Sequence, residues 1–512
     1  MANKSISIIG AGIAGLSAGC YARMNGYHST IFELHDKPGG LCTSWKRKGY
    51  TIDGCIHWLV GSRPDTYLYK IWEELGALPA RKIVDYREYG RFVGEDRREF
   101  IVYTDINQLV EHMHKLSPQD AHIINSMGKV LHSLTLLDQP MEEKKGVAKL
   151  FATISGFFRI LPAVMALVKY SKTSVQDYAK RFQDPLLREA IPKLFLDSPD
   201  FPLLFILLTL SWMHQRDAGY PVGGSLAFAR AIERRYLSMG GEMRYKSRVE
   251  RILVENNRAV GVRLTDGKEY RADIVISAAD GHSTIFDMLD GKYVDKKILG
   301  YYKDFTPFPP LIQVALGVRR DLSNTPHFVD FPLVEPLIIA GQAHRRLRYK
   351  HYCFDPTLAP AGKSVVIFLL PTKYEYWKEL SADRKHYHAY RAEKKQVASA
   401  VIAQLEIRFP GISKDVEMVD VATPVTYERY TANWRGSFEG WLITTRNLRV
   451  KMPIVLPGLS NFYMAGQWVN PGGGLPPSAM SGKKVIKEIC KREGKKFLSN
   501  APGAIDRESV LN

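Results

Sequence analysis

The stretch ISIIGAGIAG at residues 6–15 determines the fold of this 512-residue chain. A short β-branched run leads into the pattern G-x-G-x-x-G, and a run of small residues follows it. This order is typical of a strand–turn–helix unit that binds a dinucleotide, with its pyrophosphate at the helix N-terminus. In that unit Gly10 permits the tight turn, Gly12 lets the backbone approach the phosphates, and Gly15 lets helix and strand pack closely. The predicted cofactor contacts of the turn are Gly10, Ala11, Gly12, Ile13, Ala14 and Gly15.

An acidic residue ends the next predicted strand. Glu33 follows the run STIF at residues 29–32 and stands 18 positions after the last glycine of the motif. A carboxylate there accepts hydrogen bonds from a ribose 2′-OH and repels a 2′-phosphate, which favours FAD or NAD over NADP. Gly39 and Gly40 then allow the backbone to lie against a long cofactor, with Leu41 next in the chain. This loop favours FAD, because a simple NAD domain does not need it.

The other end of the chain carries a second Gly-rich segment. AGQ at residues 465–467 follows a predicted buried strand, and PGGGLP at 471–476 leads into a predicted helix. The N-terminus of that helix would stabilise negative charge on a reduced isoalloxazine ring. The contacts predicted here are Gly466, Gln467, Leu475, Pro476 and Ser478. We interpret the two segments as one extended dinucleotide site, held from both ends of the chain.

In this order the motifs resemble those of the FAD-dependent carotenoid desaturase, carotenoid isomerase and retinol saturase superfamily. The likeness runs from residue 5 to about residue 487, and DGCIH at 53–57 is nearest to the retinol saturase and carotenoid isomerase branch. YPVGGSL at 220–226 looks like the return of the chain to the FAD domain, and the resemblance implies a cofactor contact at Val249. The fold it implies is α/β: a Rossmann-type, glutathione reductase-like FAD domain with a mixed α+β substrate domain.

Two positions depart from the pattern of these relatives. Gln467 stands where many flavoproteins of this architecture carry an acid that holds the ribityl chain, and an amide donates as well as accepts hydrogen bonds. Leu41 stands where relatives commonly have a basic residue. Neutralisation of the pyrophosphate is therefore expected to depend more on backbone N–H groups.

The position of the motifs at the start, middle and end of the chain predicts two discontinuous domains. The FAD-binding domain is expected to comprise residues 1–79, 221–283 and 458–512. The substrate-binding domain is expected to comprise residues 80–220 and 284–457, with apolar helices at 148–169 and 201–213.

The two apolar stretches and the charge indicate the class of partner. Residues 201–213 are too short to cross a bilayer and favour a core helix. Residues 148–169 are interrupted by Arg159 and Pro162 and bordered by lysines, as in a helix lying in a membrane interface. The net charge of +18, with clusters such as HRRLRYK at 344–350, agrees with an anionic membrane surface, although scattered solvated charge explains it equally well. Nucleic acid is disfavoured because no recognition motif accompanies the charge.

The cysteines and the N-terminus bear on localisation. Five cysteines without metal-ligand spacing cannot all pair, which favours reduced thiols and predicts no metal site. The N-terminus enters a predicted strand by residue 5 without the pattern of a signal peptide. We therefore expect a cytoplasmic protein that associates peripherally with membranes.

Catalytic residues are harder to predict, because a flavin performs the redox chemistry and the protein orients it. His57 could move a proton near the isoalloxazine, or be a structural histidine with its hydrogen bonds satisfied. Glu439 and Tyr427 are further candidates as acid or base. The resemblance implies an FAD-dependent oxidoreductase that desaturates, saturates or isomerises carbon–carbon double bonds of a carotenoid, retinoid or related polyene, with an unknown electron partner. Two alternatives are an amine-oxidase-like flavoenzyme and a non-catalytic membrane-associated flavoprotein.

Overall fold

The computed structural model describes residues 4–78, 81–138, 160–195, 198–450 and 452–500. Within them the strands are, in chain order, β1 (Ser5–Ile9), β2 (His28–Phe32), β3 (Ser44–Arg47), β4 (Tyr50–Asp53), β5 (Leu59–Val60), β6 (Ile83–Val84), β7 (Glu88–Val93), β8 (Glu99–Tyr103), β9 (Ala218–Pro221), β10 (Glu242–Arg244), β11 (Val249–Glu255), β12 (Arg258–Leu264), β13 (Glu269–Arg271), β14 (Ile274–Ser277), β15 (Leu311–Val318), β16 (Phe328–Ile339), β17 (Gln342–His351), β18 (Ser364–Pro371), β19 (Val416–Ala422) and β20 (Phe462–Met464). The α-helices of the same residues are α1 (Ile13–Met24), α2 (Tyr67–Glu74), α3 (Ile106–Leu116), α4 (Ala121–Leu134), α5 (160–171), α6 (Val175–Ala179), α7 (Pro185–Lys193), α8 (Leu203–His214), α9 (Gly224–Ser238), α10 (Lys296–Asp304), α11 (Tyr374–Leu380), α12 (Arg384–Arg408), α13 (Pro424–Thr431) and α14 (Leu475–Arg492).

A five-stranded parallel sheet in the order β10-β2-β1-β14-β20 carries the first motif. Ile9, at the end of β1, lies opposite Phe32 of β2 and Ser277 of β14. Helix α1 packs against both α9 and α14, and Ser17 Oγ of α1 donates a hydrogen bond to Ala479 O of α14 at 2.7 Å. Parallel strands joined through helices are the Rossmann arrangement, so the predicted α/β fold class is confirmed.

The strands of this sheet come from three distant parts of the chain. β1 and β2 lie in residues 1–79, β10 and β14 in 221–283, and β20 in 458–512. The parallel sheet thus draws on each of the three segments predicted to form the FAD-binding domain. The division into two domains, with its boundaries, stays a prediction.

A second, seven-stranded sheet has the order β19-β15-β18-β17-β16-β7-β8 and is mixed, since β16 pairs with β7 in parallel and the other neighbours are antiparallel. Its central strand β17 contains the whole basic cluster at 344–350 that the sequence suggested for a membrane surface. Leu347 and Tyr349 of β17 are buried in the core, and the alternate residues Arg346, Arg348 and Lys350 lie on the opposite face. Three cations of the cluster therefore line the interior cavity described below.

The apolar stretch 201–213 is a core helix. α8 begins at Leu203, because Pro202 supplies the extended N-cap conformation, and five of its residues belong to one buried cluster with α3 and α4: Leu203, Leu204, Ile206, Leu207 and Leu210. Of the stretch 148–169, residues 148–159 lie outside the described residues, and the remainder forms most of α5. Within the described ranges, no helix is both long and apolar enough to cross a membrane.

The first glycine turn provides a matched pair of stability variants. A Cβ added at Gly15 would stand 1.9 Å from Gly10 O, whereas one added at Gly12 would meet nothing closer than Gly39 O at 4.0 Å. We expect Gly15→Ala to destabilise the cofactor-free protein by about 1–3 kcal/mol through overpacking. Gly12→Ala should leave its thermal midpoint almost unchanged. Calorimetry of both apoproteins checks this, and equal midpoints would contradict the close approach of α1 to β1.

Candidate functional site

A cavity of about 980 Å³ connects the parallel sheet with the seven-stranded sheet. At the parallel sheet it begins at the turn between β1 and α1, bordered by Gly10, Gly12, Ile13 and Ala14. It then passes His57 and Trp58 and reaches the basic face of β17. Its volume lies at the upper end of the range for small-molecule sites, about 300–1,000 Å³.

Glu33 stands at the carboxyl end of β2, beside the glycine turn. Its carboxylate accepts hydrogen bonds from Ala11 N at 2.7 Å and from His35 N at 2.8 Å. Burial raises the pKa of Glu33, and the backbone donors of His35, Ala11 and Leu34 oppose that rise. The carboxylate also borders the cavity. Its remaining lone pairs can therefore accept hydrogen bonds from ribose hydroxyls.

The loop with two glycines lies directly against the first turn. Gly39 N donates to Ala11 O at 2.8 Å, and Gly12 and Gly39 form a parallel β-bridge. A Cβ at Gly40 would come within 3.3 Å of Gly12 Cα, and the φ of Gly40 is +59°. Gly39, Gly40 and Leu41 all border the cavity. A Cβ at Gly39 would stand 2.1 Å from Cys42 O, so glycine at these two positions allows the loop to lie this close to the first turn.

The C-terminal segment closes the same cavity from the other side. Gly466 N donates to Ser481 Oγ at 2.7 Å, which fixes the turn after β20. Gln467 Nε2 donates to Asn433 Oδ1 at 3.3 Å, so this amide is engaged with the protein. The N-terminal turn of α14 also reaches the cavity, through Leu475, Pro476 and Ser478. The N-termini of α1 and α14 thus both border the cavity, where their dipoles favour anionic groups.

Three predicted cofactor residues do not border the cavity. Ala11 contributes through its backbone, which holds Glu33 and Gly39. Gly15 packs on the turn, and Val249 is buried in an apolar cluster with Ile9 and Phe32. The cofactor contact of Val249 stays a prediction.

We call the part of the cavity wall formed by Gly10, Gly12, Gly39 and Gly40 the glycine cradle. His57 lies where the cavity leaves this cradle. Its Nδ1 is 3.0 Å from Tyr352 Oη, and its carbonyl accepts a hydrogen bond from Tyr86 Oη at 2.6 Å. Burial, together with the nearby charges of Lys350 and Arg348, holds the pKa of His57 well below its usual value. The imidazole is therefore neutral at pH 7, and burial beside two cations disfavours its protonated form.

The other two catalytic candidates border the same cavity. Tyr427 Oη donates to Gln313 Oε1 at 3.0 Å, and Gln313 Nε2 donates to Asp53 O at 3.1 Å. Burial raises the pKa of Tyr427, so this phenol stays protonated. Burial also raises the pKa of Glu439 to about 8, and the described residues offer this carboxyl no hydrogen-bond or ion-pair partner. Glu439 is therefore a protonated acid at neutral pH.

The basic far end of the cavity is a feature that the sequence interpretation missed. Arg346 Nε lies 2.6 Å from Asp330 Oδ1, and Arg348 Nη2 lies 2.9 Å from Asp330 Oδ2. Burial lowers the pKa of Lys350 to about 7, with Asp53 opposing that change. The available signal was the spacing of Arg346, Arg348 and Lys350 at every second position, which places side chains on one face of a strand.

The fold and the cradle define a two-sheet flavoprotein. The family model described as flavin containing amine oxidoreductase matches residues 13–490, and the chain belongs to that family. FAD is its cofactor: the buried acid, the glycine cradle and the two helix N-termini fit that dinucleotide.

Individual relatives agree with this assignment. The chain is 25% identical to a chloroplastic prolycopene isomerase of Daucus carota, with 94% of this chain and 79% of that protein covered. It is 23% identical to a neurosporene-forming phytoene desaturase of Cereibacter sphaeroides, covering 94% and 93%. A solved oxidoreductase from Methanosarcina mazei shares the fold, with a TM-score of 0.61 at 18% identity and coverage of 94% and 100%.

A substitution in the glycine cradle is expected to weaken FAD binding without unfolding the protein. In Gly12→Ala the added methyl group meets no protein atom closer than 4.0 Å and enters the space predicted for the pyrophosphate. We expect FAD affinity to fall at least about tenfold, which corresponds to about 1.4 kcal/mol. Titration of the apoprotein by flavin fluorescence measures this. The control is Gly300→Ala on α10, outside the cavity, where an added Cβ meets nothing closer than Asp304 Oδ2 at 3.8 Å. Unchanged affinity would exclude close approach of the cofactor at Gly12.

From the raised pKa of Glu439 we predict that the stability of the folded protein depends on pH. Its pKa in the folded protein, about 8, exceeds its ordinary value of 4.5. Its contribution to stability is therefore full below about pH 4.5 and is lost as pH rises to 8, because the unfolded chain releases this proton first. Between pH 5 and pH 8 we expect the melting temperature of wild-type apoprotein to fall more than that of Glu439→Gln. Parallel pH profiles would contradict the raised pKa of this carboxyl, and Glu269→Gln on the exposed β13 is the matched control.

Proposed function

We propose that this chain is an FAD-dependent enzyme that acts on carbon–carbon double bonds of a long apolar polyene, by desaturation, saturation or cis–trans isomerisation. The observation that carries the proposal is the middle of the cavity, between the glycine cradle and β17. Aromatic side chains dominate its walls: Trp58, Tyr86, Tyr89, Phe195, Phe201, Phe205, Trp212 and Phe328. Such walls bury a conjugated chain by apolar area and by ring contacts. Relatives whose names refer to lycopene and phytoene support the same substrate class.

The charge of the cavity distinguishes this proposal from an amine-oxidase-like activity. Arg346, Arg348 and Lys350 face the far end, and Asp330 is shared between the two arginines. A protonated amine would be repelled by these cations, since like charges are poorly screened in a partly buried site. A neutral polyene carries no such penalty.

Bound FAD supplies a two-electron acceptor or, when reduced, a donor. The protein contributes proton handling and exclusion of water. Tyr352 Oη lies 3.0 Å from His57 Nδ1, and in the tautomer with hydrogen on Nδ1 the other ring nitrogen, Nε2, is the atom that would take a proton from the polyene or return it. Glu439 holds its proton below about pH 8 and can donate it from the same cavity. Phe205, Thr209 and Trp212 of α8 line the cavity and help to exclude water.

Flavin absorbance tests the reaction class. Under anaerobic conditions, a panel of carotenoids, retinoids and unsaturated fatty acids is added to the oxidised and to the photoreduced holoenzyme. Bleaching indicates desaturation, reoxidation indicates saturation, and changed product geometry with no net flavin change indicates isomerisation. We expect at least one polyene to give one of these results. Reduction of the flavin by putrescine or benzylamine alone would instead support an amine oxidase.

A variant in the aromatic part of the cavity tests where the substrate lies. Thr209 of α8 borders the cavity, and Thr209→Trp adds a ring there. We expect this variant to retain FAD and to lose at least about tenfold of kcat/KM for the polyene found above, since overpacking removes the space for substrate. Thr209→Val, of nearly equal volume, is the matched control. Full activity in Thr209→Trp would place the substrate elsewhere.

We further propose that the enzyme associates peripherally with an anionic membrane. α5 exposes three apolar side chains, Val164, Met165 and Val168, whose exposed fractions are 39%, 64% and 50%. Lys169 and Lys172 are exposed beside them. Apolar residues that enter the headgroup boundary, with lysines beside them, are typical of interfacial helices.

Liposome sedimentation tests this association. We expect Met165→Asp to reduce the fraction bound to phosphatidylglycerol vesicles several-fold, because it places a like charge at the lipid boundary. Ile407→Asp changes a comparably exposed apolar residue of α12 (68% exposed) and is the control. Equal losses in both variants, or in neither, would contradict a role for α5.

A further inference from the structure

The far end of the cavity holds more positive than negative charge. Four partly buried cations border it: Lys193, Arg346, Arg348 and Lys350. The carboxylates within ion-pair distance of them are Glu189 and Asp330, and Arg345 also borders the cavity, with an exposed side chain. With Lys350 in its charged form, the four partly buried cations exceed the two carboxylates by two positive charges. Such an excess in a partly buried space favours an anionic ligand.

The two carboxylates are already engaged, and neither reaches Lys350. Asp330 binds Arg346 and Arg348, and Glu189 lies 2.7 Å from Lys193 Nζ. Among the described residues, Lys350 has no hydrogen-bond or ion-pair partner. Its Nζ is instead surrounded by rings, with their centroids 5.6 Å (Tyr352), 5.8 Å (Phe328) and 6.0 Å (Tyr86) away. Ring contacts at such distances offset little of the cost of removing an ammonium group from water.

The walls next to Lys350 are suited to an apolar chain. Phe328 packs on Tyr89, and Tyr89 packs on Trp58, with ring centroids 5.8 Å and 5.5 Å apart. Tyr352 contacts both Lys350 and His57. A group bound at Lys350 would therefore hold the first carbons of its chain beside His57.

We infer that this cavity takes an amphipathic acid, an unsaturated chain that ends in a carboxylate, and that Lys350 binds the carboxylate. The inference rests on the proposed function and names its substrate class. The carboxylate of the ligand is the anionic partner that Lys350 lacks, and Lys350 Nζ donates a charge-assisted hydrogen bond to it. The carboxylate also favours the charged form of Lys350, whose pKa burial lowers. Arg346 and Arg348, held by Asp330, add long-range attraction.

Binding of cis-parinaric acid, a fluorescent tetraene fatty acid, and of its methyl ester to the holoenzyme tests the inference without turnover. Trp58 and Trp212 border the cavity, so quenching of tryptophan fluorescence reports occupancy. We expect wild type to bind the acid at least about tenfold more tightly than the ester, as one charge-assisted contact of about 1.4 kcal/mol gives. Lys350→Met should remove this preference and leave the affinity for the ester unchanged.

Two control variants make the result specific. Lys350→Arg keeps the charge and should keep the preference for the acid. Lys268→Met removes one cation from the exposed turn between β12 and β13, outside the cavity, and should change nothing. Flavin content and melting temperature verify that each variant is folded. Equal affinities for acid and ester in wild type, or a preference that survives Lys350→Met, would overturn the inference.

Turnover separates this inference from the proposed function. If neutral polyenes react and acids bind no better than esters, the proposed function stands and the carboxylate site is wrong. If acids bind through Lys350 and no polyene or acid in the panel reacts, the carboxylate site stands and the proposed reaction is wrong.

Discussion

The buried carboxylate of Glu33 organises the cofactor side of the molecule. It receives the backbone N–H of Ala11 from the first glycine turn and that of His35 from its own loop. The backbone of Glu33 also accepts a hydrogen bond from Ser247 N, at 2.8 Å, and donates one to Arg244 O. One residue thereby joins the turn after β1, the loop with two glycines and the connection between β10 and β11. Without this acid, the backbone N–H groups of Ala11 and His35 would lose their common hydrogen-bond acceptor at the place where the cofactor must lie.

The cofactor side was predictable because its signals are local. The turn of Gly10, the acid at Glu33 and the close packing at Gly15 each follow from a few neighbouring residues, and together they predicted an α/β fold that the structure confirms. The basic face of β17 was not predictable in the same way. From the sequence alone, Arg346 and Lys350 cannot be distinguished from surface charge. Only the pairing of β17 with β16 and β18 determines which face of the strand is interior. Those partners lie elsewhere in the chain, and a shift by one residue would turn the same side chains outward.

Membership in a family named for amines does not determine what this cavity accepts. The family supplies the fold and the flavin, whereas in our proposal the side chains at the far end select the substrate. Here those side chains are aromatic rings followed by Arg346, Arg348 and Lys350. The cofactor side also lacks a negative charge, because Gln467, a neutral amide that donates to Asn433, stands where an acid is common in this architecture. The cations of β17 and the neutral side chain of Gln467 both make the cavity less favourable for a cationic ligand.

The three-segment origin of the parallel sheet has a consequence for biosynthesis. β20 completes the edge of the sheet beside β14, and its first residue, Phe462, stands 185 positions after Ser277, the last residue of β14. A ribosome that has released β1, β2, β10 and β14 has therefore exposed half of a dinucleotide cradle with no closing helix. Capture of flavin must wait for nearly the whole chain, so newly made protein passes through a period in which the intended ligand cannot yet protect its apolar interior. Cells short of flavin would prolong that period, and the abundance of the folded protein becomes coupled to cofactor supply.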